Sequence, residues 1–282
     1  MVSENTRYKT IFSTCLGAAY TEKRTLERKP IMSIVWISAL GVGGATALGA
    51  LIGFLFHSPS PRFGNVVLSF AAGVMLASSV VGLILPSLSY GGAWSLPLSL
   101  LGIFVGAGVL VLFDRLTPQL YQLVSVSGRE KAEEARHLRR VLLFVTAIAV
   151  HNFPEGIAAG VSFGTGDIVA ALAVAGGIAL QNIPEGMVVI GPMLSSGISK
   201  ARTLLVAVFT GVIEVIGTLV GYLAVGISKS LLPFALAFAG GAMLFVISDE
   251  MIPETHADEC NRASTFSLLI GFAVMMVISY FL

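Results

Sequence analysis

Stretches of uninterrupted apolar sequence, each long enough to cross about 30 Å of hydrocarbon as a helix, recur from Ile31 to Leu282. A backbone that crosses lipid must satisfy its own N–H and C=O groups, so such runs fold as helices. The composition agrees, with 55% apolar and 12% charged side chains and a mean hydropathy of +0.88, more apolar surface than a soluble core can bury. The chain is read as an all-α polytopic membrane protein whose residues 31–282 form one transmembrane domain, not as a soluble enzyme on a single anchor.

Eight spans are expected, near 32–56, 63–87, 93–113, 140–161, 168–193, 201–226, 231–252 and 264–282, making an eight-transmembrane-helix bundle. Residues 114–139, which end in GREKAEEARHLR, form a charge-rich loop outside the membrane. Residues 1–30 hold six Lys and Arg around an apolar piece too short to span, and are expected to be an interfacial or disordered arm. Beyond that arm, nearly all Lys and Arg fall in the loops after spans one, three, five and seven. The positive-inside rule puts those loops, 114–139 among them, in the cytoplasm and both termini outside, although the arm pulls the other way. A net charge of +1 gives no footing for nucleic acid, and Cys15 and Cys260 are too few for a thiolate zinc site.

Pairs such as Gly49 with Gly53, Gly102 with Gly106 and Gly217 with Gly221 would let helix backbones approach closely in lipid. Chemistry enters in spans four and five. These read VLLFVTAIAVHNFPEGIAAGV and ALAVAGGIALQNIPEGMVVIG, so each carries an N-x-P-E-G block preceded by a polar residue near its midpoint. A charged side chain at the bilayer centre costs about 2.5–3.5 kcal/mol even on the mildest scale, so His151, Glu155 and Glu185 each demand a compensating partner. Helical spacing puts His151 and Asn152 one turn before Glu155, and Gln181 and Asn182 one turn before Glu185. A short turn joins the two spans, so the clusters should face each other across antiparallel helices. Pro154 and Pro184 each remove a backbone donor at that depth and are expected to kink their helices, freeing carbonyls near Val150 and Leu180.

Imidazole with carboxylates suits zinc, iron or manganese, whereas magnesium and calcium favour oxygen alone. Amide and carboxylate ligands also let an ion leave, as transport requires. Glu214 in span six is a third buried acid that would let two ions share bridging carboxylates. Met75 in span two offers a thioether to a softer ion, and ordinary apolar filling explains it equally well. Asp249, Glu250, Glu254 and His256, at and beyond the end of span seven, are placed as a vestibule on the ion's way in or out, or as a solvated loop. His57 and His137 lack a second histidine at ligand spacing.

Three classes of function compete on these residues. A carrier of divalent metal fits the duplicated acids and amides. An intramembrane zinc-dependent hydrolase would need more than the single histidine at that depth, and there is no H-E-x-x-H block. A proton or monovalent-cation pathway through Glu155, Glu185 and Glu214 leaves His151 and the amides unexplained. The chain has no G-x-x-x-x-G-K-[ST] block, so a carrier would run on the metal gradient or on another ion.

The paired blocks HNFPEG and QNIPEG, with AAGVMLASS, GVIE and DEMIPETH, resemble the ZIP (Zrt-, Irt-like protein) metal transporters, prokaryotic branch, over essentially all eight spans. The resemblance implies transport of zinc, with cadmium, iron or manganese as further cargo, through a binuclear site by elevator-like alternating access. It also implies a homodimer in the cell membrane, the inner membrane of a bacterial host. His151, Glu155, Gln181 and Glu185, with Met75, would hold the first ion. Asn152, Glu155, Asn182, Glu185 and Glu214 would hold the second. The chain departs from the family pattern at Gln181, where many relatives place histidine, and at Asn182, where some place an acid. A histidine-rich loop is also missing, since 114–139 holds His137 alone.

Overall fold

The computed structural model describes residues 31–55, 61–124, 151–195, 198–227, 229–256 and 261–281. All regular structure among them is helical. Helix α1 is Ile31–Gly53. Helix α2 runs from Pro61–Ala77 through a wide π segment, Ser78–Ile84, into Leu85–Ser87. Then follow α3 (Ser95–Val124), α4 (151–163), α5 (Ile168–Ser195) and α6 (Lys200–Ile227). Helix α7 runs from Leu232–Val246 through a second π segment, Ile247–Met251, to Ile252–Thr255, and α8 is Asn261–Phe281.

Among the described residues, seven helices are long and apolar enough to cross a bilayer, namely all of these but α4. The protein is therefore a multi-pass membrane protein. The part of span four before 151, the arm 1–30, and His57, His137, Cys15 and Cys260 lie outside the described residues. Helix α3 carries on to Val124, into the segment expected to be loop, because Leu116, Leu120, Leu123 and Val124 continue its apolar repeat at helical spacing.

The chain forms two units, Met1–Ile37 and Ser38–Leu282. The described part of the first, 31–37, is the opening of α1. Everything below concerns the second.

Glycine decides which helices pair, because lipid offers apolar side chains no reward for leaving it and close backbone packing takes over. A Cβ on Gly102 or Gly106 of α3 would strike the α7 backbone at Phe234 or Phe238. Gly73 of α2 and Gly271 of α8 meet each other's helix at Leu268 and Phe70, and Ser267 Oγ donates to the Val66 carbonyl at 2.7 Å. In the same way Gly49 and Gly53 bring α1 onto α5, Gly43 and Gly211 bring α1 onto α6, and Gly217 and Gly221 bring α6 onto α4. The three glycine pairs singled out in the sequence all lie at such crossings.

Two sets of helices result. One contains α2, α3, α7 and α8, and the other α1, α4 and α6. Helix α5 packs on both, touching α2 on one side and α1 on the other. An apolar cleft of about 250 Å³ lies between the sets, lined by Leu110 and Phe113 of α3, Phe153 and Pro154 of α4, and Phe238 and Ala242 of α7. The outermost helices are α3 and α8, where residues such as Phe104 and Phe266 face outward into lipid.

Each π segment stands just before a proline, Pro86 in α2 and Pro253 in α7. A proline lacks the N–H that would bond the carbonyl four residues back and crowds that carbonyl, and a wider turn relieves both. Helix α5 instead passes Pro184 as one continuous helix.

Candidate metal-transport site

The N-x-P-E-G block does two things at once. Its glutamate supplies a carboxylate, and its glycine admits a neighbouring backbone right beside that carboxylate. Gly156 lies against the carbonyl of Glu214 on α6, and Gly186 lies against the carbonyl of Thr46 on α1. A side chain at either position would push away the helix that carries the next polar group of the cluster.

Glu155 is 1% exposed, and neither of its carboxylate oxygens has a hydrogen-bond partner. It lies within electrostatic reach of Glu185 and Glu214, with Gln181 alongside. Gln181 is fully buried, and its amide oxygen and nitrogen are both unpartnered, as is the amide nitrogen of buried Asn152. Glu185 is half-buried and senses His151. Buried polar atoms are nearly always paired in folded proteins, so a concentration of bare ones marks a place built to receive something polar.

Asn182 is tied down. Its Nδ2 donates to Glu214 Oε1 at 2.6 Å and to the carbonyl of Val42 on α1 at 3.1 Å. Both partners accept, which fixes the amide orientation and leaves Oδ1 bare, as is Oε2 of Glu214. Met75 is fully buried on α2 next to Val74, against which Leu180 of α5 packs. That contact places the thioether's helix against the turn of α5 that holds Gln181.

Of the four residues near the end of α7, one joins the cluster. Glu250 Oε1 accepts from His151 Nε2 at 2.8 Å, across 99 residues of sequence. Glu254 lies within electrostatic reach of Glu250 and His151, although its side chain is exposed. Asp249 is also exposed. His256 is turned away, its Nδ1 on the Ile252 carbonyl at 2.9 Å and its Nε2 on Thr265 Oγ1 at 3.2 Å, where it links the end of α7 to α8.

Sequence reasoning missed Thr46. It is 3% exposed and close enough to Glu214 to interact, yet its hydroxyl makes no hydrogen bond of ordinary geometry. A threonine in an apolar helix normally returns its hydroxyl to a carbonyl of its own helix, so only the tertiary structure distinguishes this one. Among the described residues no three His, Cys, Asp or Glu side chains are gathered as a metal-holding group. The cluster instead mixes carboxylates with amides, a hydroxyl and an imidazole.

A family model described as ZIP Zinc transporter matches residues 121–279. The chain is 41% identical over 251 residues to the zinc transporter ZIPB of Bordetella bronchiseptica, covering 82% of this chain and 76% of that protein. It is 37% identical to the zinc transporter GufA of Myxococcus xanthus, covering 86% of this chain and 96% of that protein. For the zinc transporter ZupT of Salmonella paratyphi A the identity is 32%, over 86% of this chain and 95% of that protein.

Proposed function

This chain belongs to the ZIP zinc transporter family, and from that premise we propose that it carries zinc across the inner membrane of a bacterial host into the cytoplasm. It acts as a carrier and not as an enzyme. The observation that carries the reading is the group of bare, buried donor atoms on Glu155, Gln181 and Asn182, where α4, α5 and α6 meet. Cadmium, iron and manganese are the further cargo that these ligands suit.

In this reading His151, Glu155, Gln181 and Glu185, with Met75, hold the transported ion. Asn152, Asn182 and Glu214 complete a second position that shares Glu155 and Glu185. Carboxylate and amide oxygens bind the ion tightly enough to replace part of its water and loosely enough to release it. His151 hands the ion on toward Glu250 and Asp249 at the cytoplasmic end. Alternating access is supported by the two helix sets and the apolar cleft between them, across which α4 with α6 can shift against α3 with α7 as the His151–Glu250 contact parts. An eighth span completed by the residues before 151, bends at Pro154 and Pro184, a cytoplasmic loop from the end of α3 to 139, an interfacial arm 1–30 and a homodimer complete the proposal.

The test is zinc uptake into liposomes that hold the purified protein, with cadmium, iron and manganese as competitors. Saturable uptake is expected, and Glu185→Ala and His151→Ala should each lower it by about tenfold or more. Correctly folded protein that gives no metal-dependent flux would sink the proposal and favour a proton pathway through the same acids.

A further inference from the structure

The second position differs from the first in the chemistry of its donors. Around Glu214 stand three buried oxygens that make no hydrogen bond of ordinary geometry, Glu214 Oε2, Asn182 Oδ1 and Thr46 Oγ1, the last close enough to Glu214 to interact with it. All are hard, and among them only Glu214 can carry a charge. His151 is occupied with Glu250, and Met75 belongs to the other side of α5. An oxygen-only set whose one unshared acid is Glu214 is poorly matched to a second zinc, which takes nitrogen and sulfur readily.

Charge balance points the same way. In the middle of a membrane an uncompensated charge is expensive, so an occupied site tends toward neutrality. With Glu250 set against His151, Glu155, Glu185 and Glu214 bring three negative charges when cations are bound. One divalent and one monovalent cation cancel them, whereas two divalent ions leave a positive charge over. Asn182 is the reason: an acid there would supply the fourth negative charge, and the amide instead spends its Nδ2 on orienting Glu214 and the Val42 carbonyl.

We propose that the oxygens of Thr46, Asn182 and Glu214 form a site for a monovalent hard cation, sodium, which sits beside a single transported zinc ion and strengthens its binding. This rests on the proposed reading of the cluster as a zinc carrier. Sodium neutralises Glu214, leaving Glu155 and Glu185 to the zinc. Thermodynamic linkage then makes each ion favour the other.

The full-length protein in lipid nanodiscs is titrated with zinc, once in sodium chloride and once in N-methylglucamine chloride of equal ionic strength, and its bound zinc is counted by elemental analysis. One zinc per chain is expected, with affinity about tenfold higher in sodium. Asn182→Asp should bind two zinc ions per chain and lose the sodium dependence. Thr46→Val should keep one zinc and also lose it. Two zinc ions in the wild type, or one zinc with affinity indifferent to sodium, overturns the sodium site and leaves the carrier intact. Folded wild type that binds no zinc overturns both.

Discussion

Glu155→Gln is expected to lower zinc uptake by about a hundredfold or more while leaving the metal-free protein at least as heat-stable as the wild type. The two halves of this result separate a ligand from a structural group. Both carboxylate oxygens of Glu155 are buried without a hydrogen-bond partner, and Glu185 and Glu214 stand nearby as like charges. Replacing the acid by its isosteric amide therefore breaks no hydrogen bond of ordinary geometry and relieves repulsion at low dielectric. The transported ion loses a carboxylate shared by both positions, a greater loss than that of an outer-shell partner, which alone costs about 10–100-fold. Uptake in proteoliposomes and thermal unfolding in detergent measure the two halves. A marked fall in melting temperature, or flux that survives, would show that Glu155 is not an ion ligand.

Gly156→Val should have the largest effect on folding. A Cβ there meets the backbone carbonyl of Glu214, and the next glycine along α4, Gly160, is in equally close contact with Thr218. The collision is with backbone, which has no rotamer to change, so α6 must move as a body and take Glu214 with it. Overpacking of well-filled interiors costs about 1–3 kcal/mol, and a shifted helix puts this case at the top of that range. Little monodisperse protein should survive extraction, and what survives should bind zinc weakly. Gly108→Ala and Gly176→Ala are the controls, since an added Cβ at either site meets nothing within 4 Å. Removing a flexible residue from a helix should leave those variants stable, or stabilise them by about 0.5–1 kcal/mol. Equal behaviour of Gly156→Val and the controls would refute the packing argument.

Much of this protein is written locally. The spans could be read from the sequence because lipid forces each apolar run into a helix, and the edges expected near 63–87, 168–193 and 201–226 fall within a few residues of α2, α5 and α6. The polar residues of the N-x-P-E-G blocks stood out because nothing else explains amides and acids in such runs. Glycine spacing marked the crossings. What stayed hidden depends on which helix meets which. His151 and Glu250 are 99 residues apart, and no local pattern links an imidazole on α4 to the π segment of α7. Thr46 looked like any hydroxyl in a small-residue helix until α5 and α6 brought Asn182 and Glu214 to it. The π segments were signalled only by Pro86 and Pro253, and a proline does not say whether the helix before it will widen or, as at Pro184, keep its α-helical turns.

The glycine crossings also bear on how this chain tolerates change over generations. Every missense change reachable from a glycine codon by one base substitution gives Ala, Val, Ser, Cys, Asp, Glu, Arg or Trp, and each of these adds a Cβ. At Gly73, Gly106, Gly156, Gly160 and Gly271 that atom lands on the backbone of another helix, so no single-base amino-acid change there is conservative. The lipid-facing surface of α3 and α8, by contrast, accepts any apolar residue of suitable length. Inherited loss of transport should therefore arise at these glycines as readily as at the ion ligands.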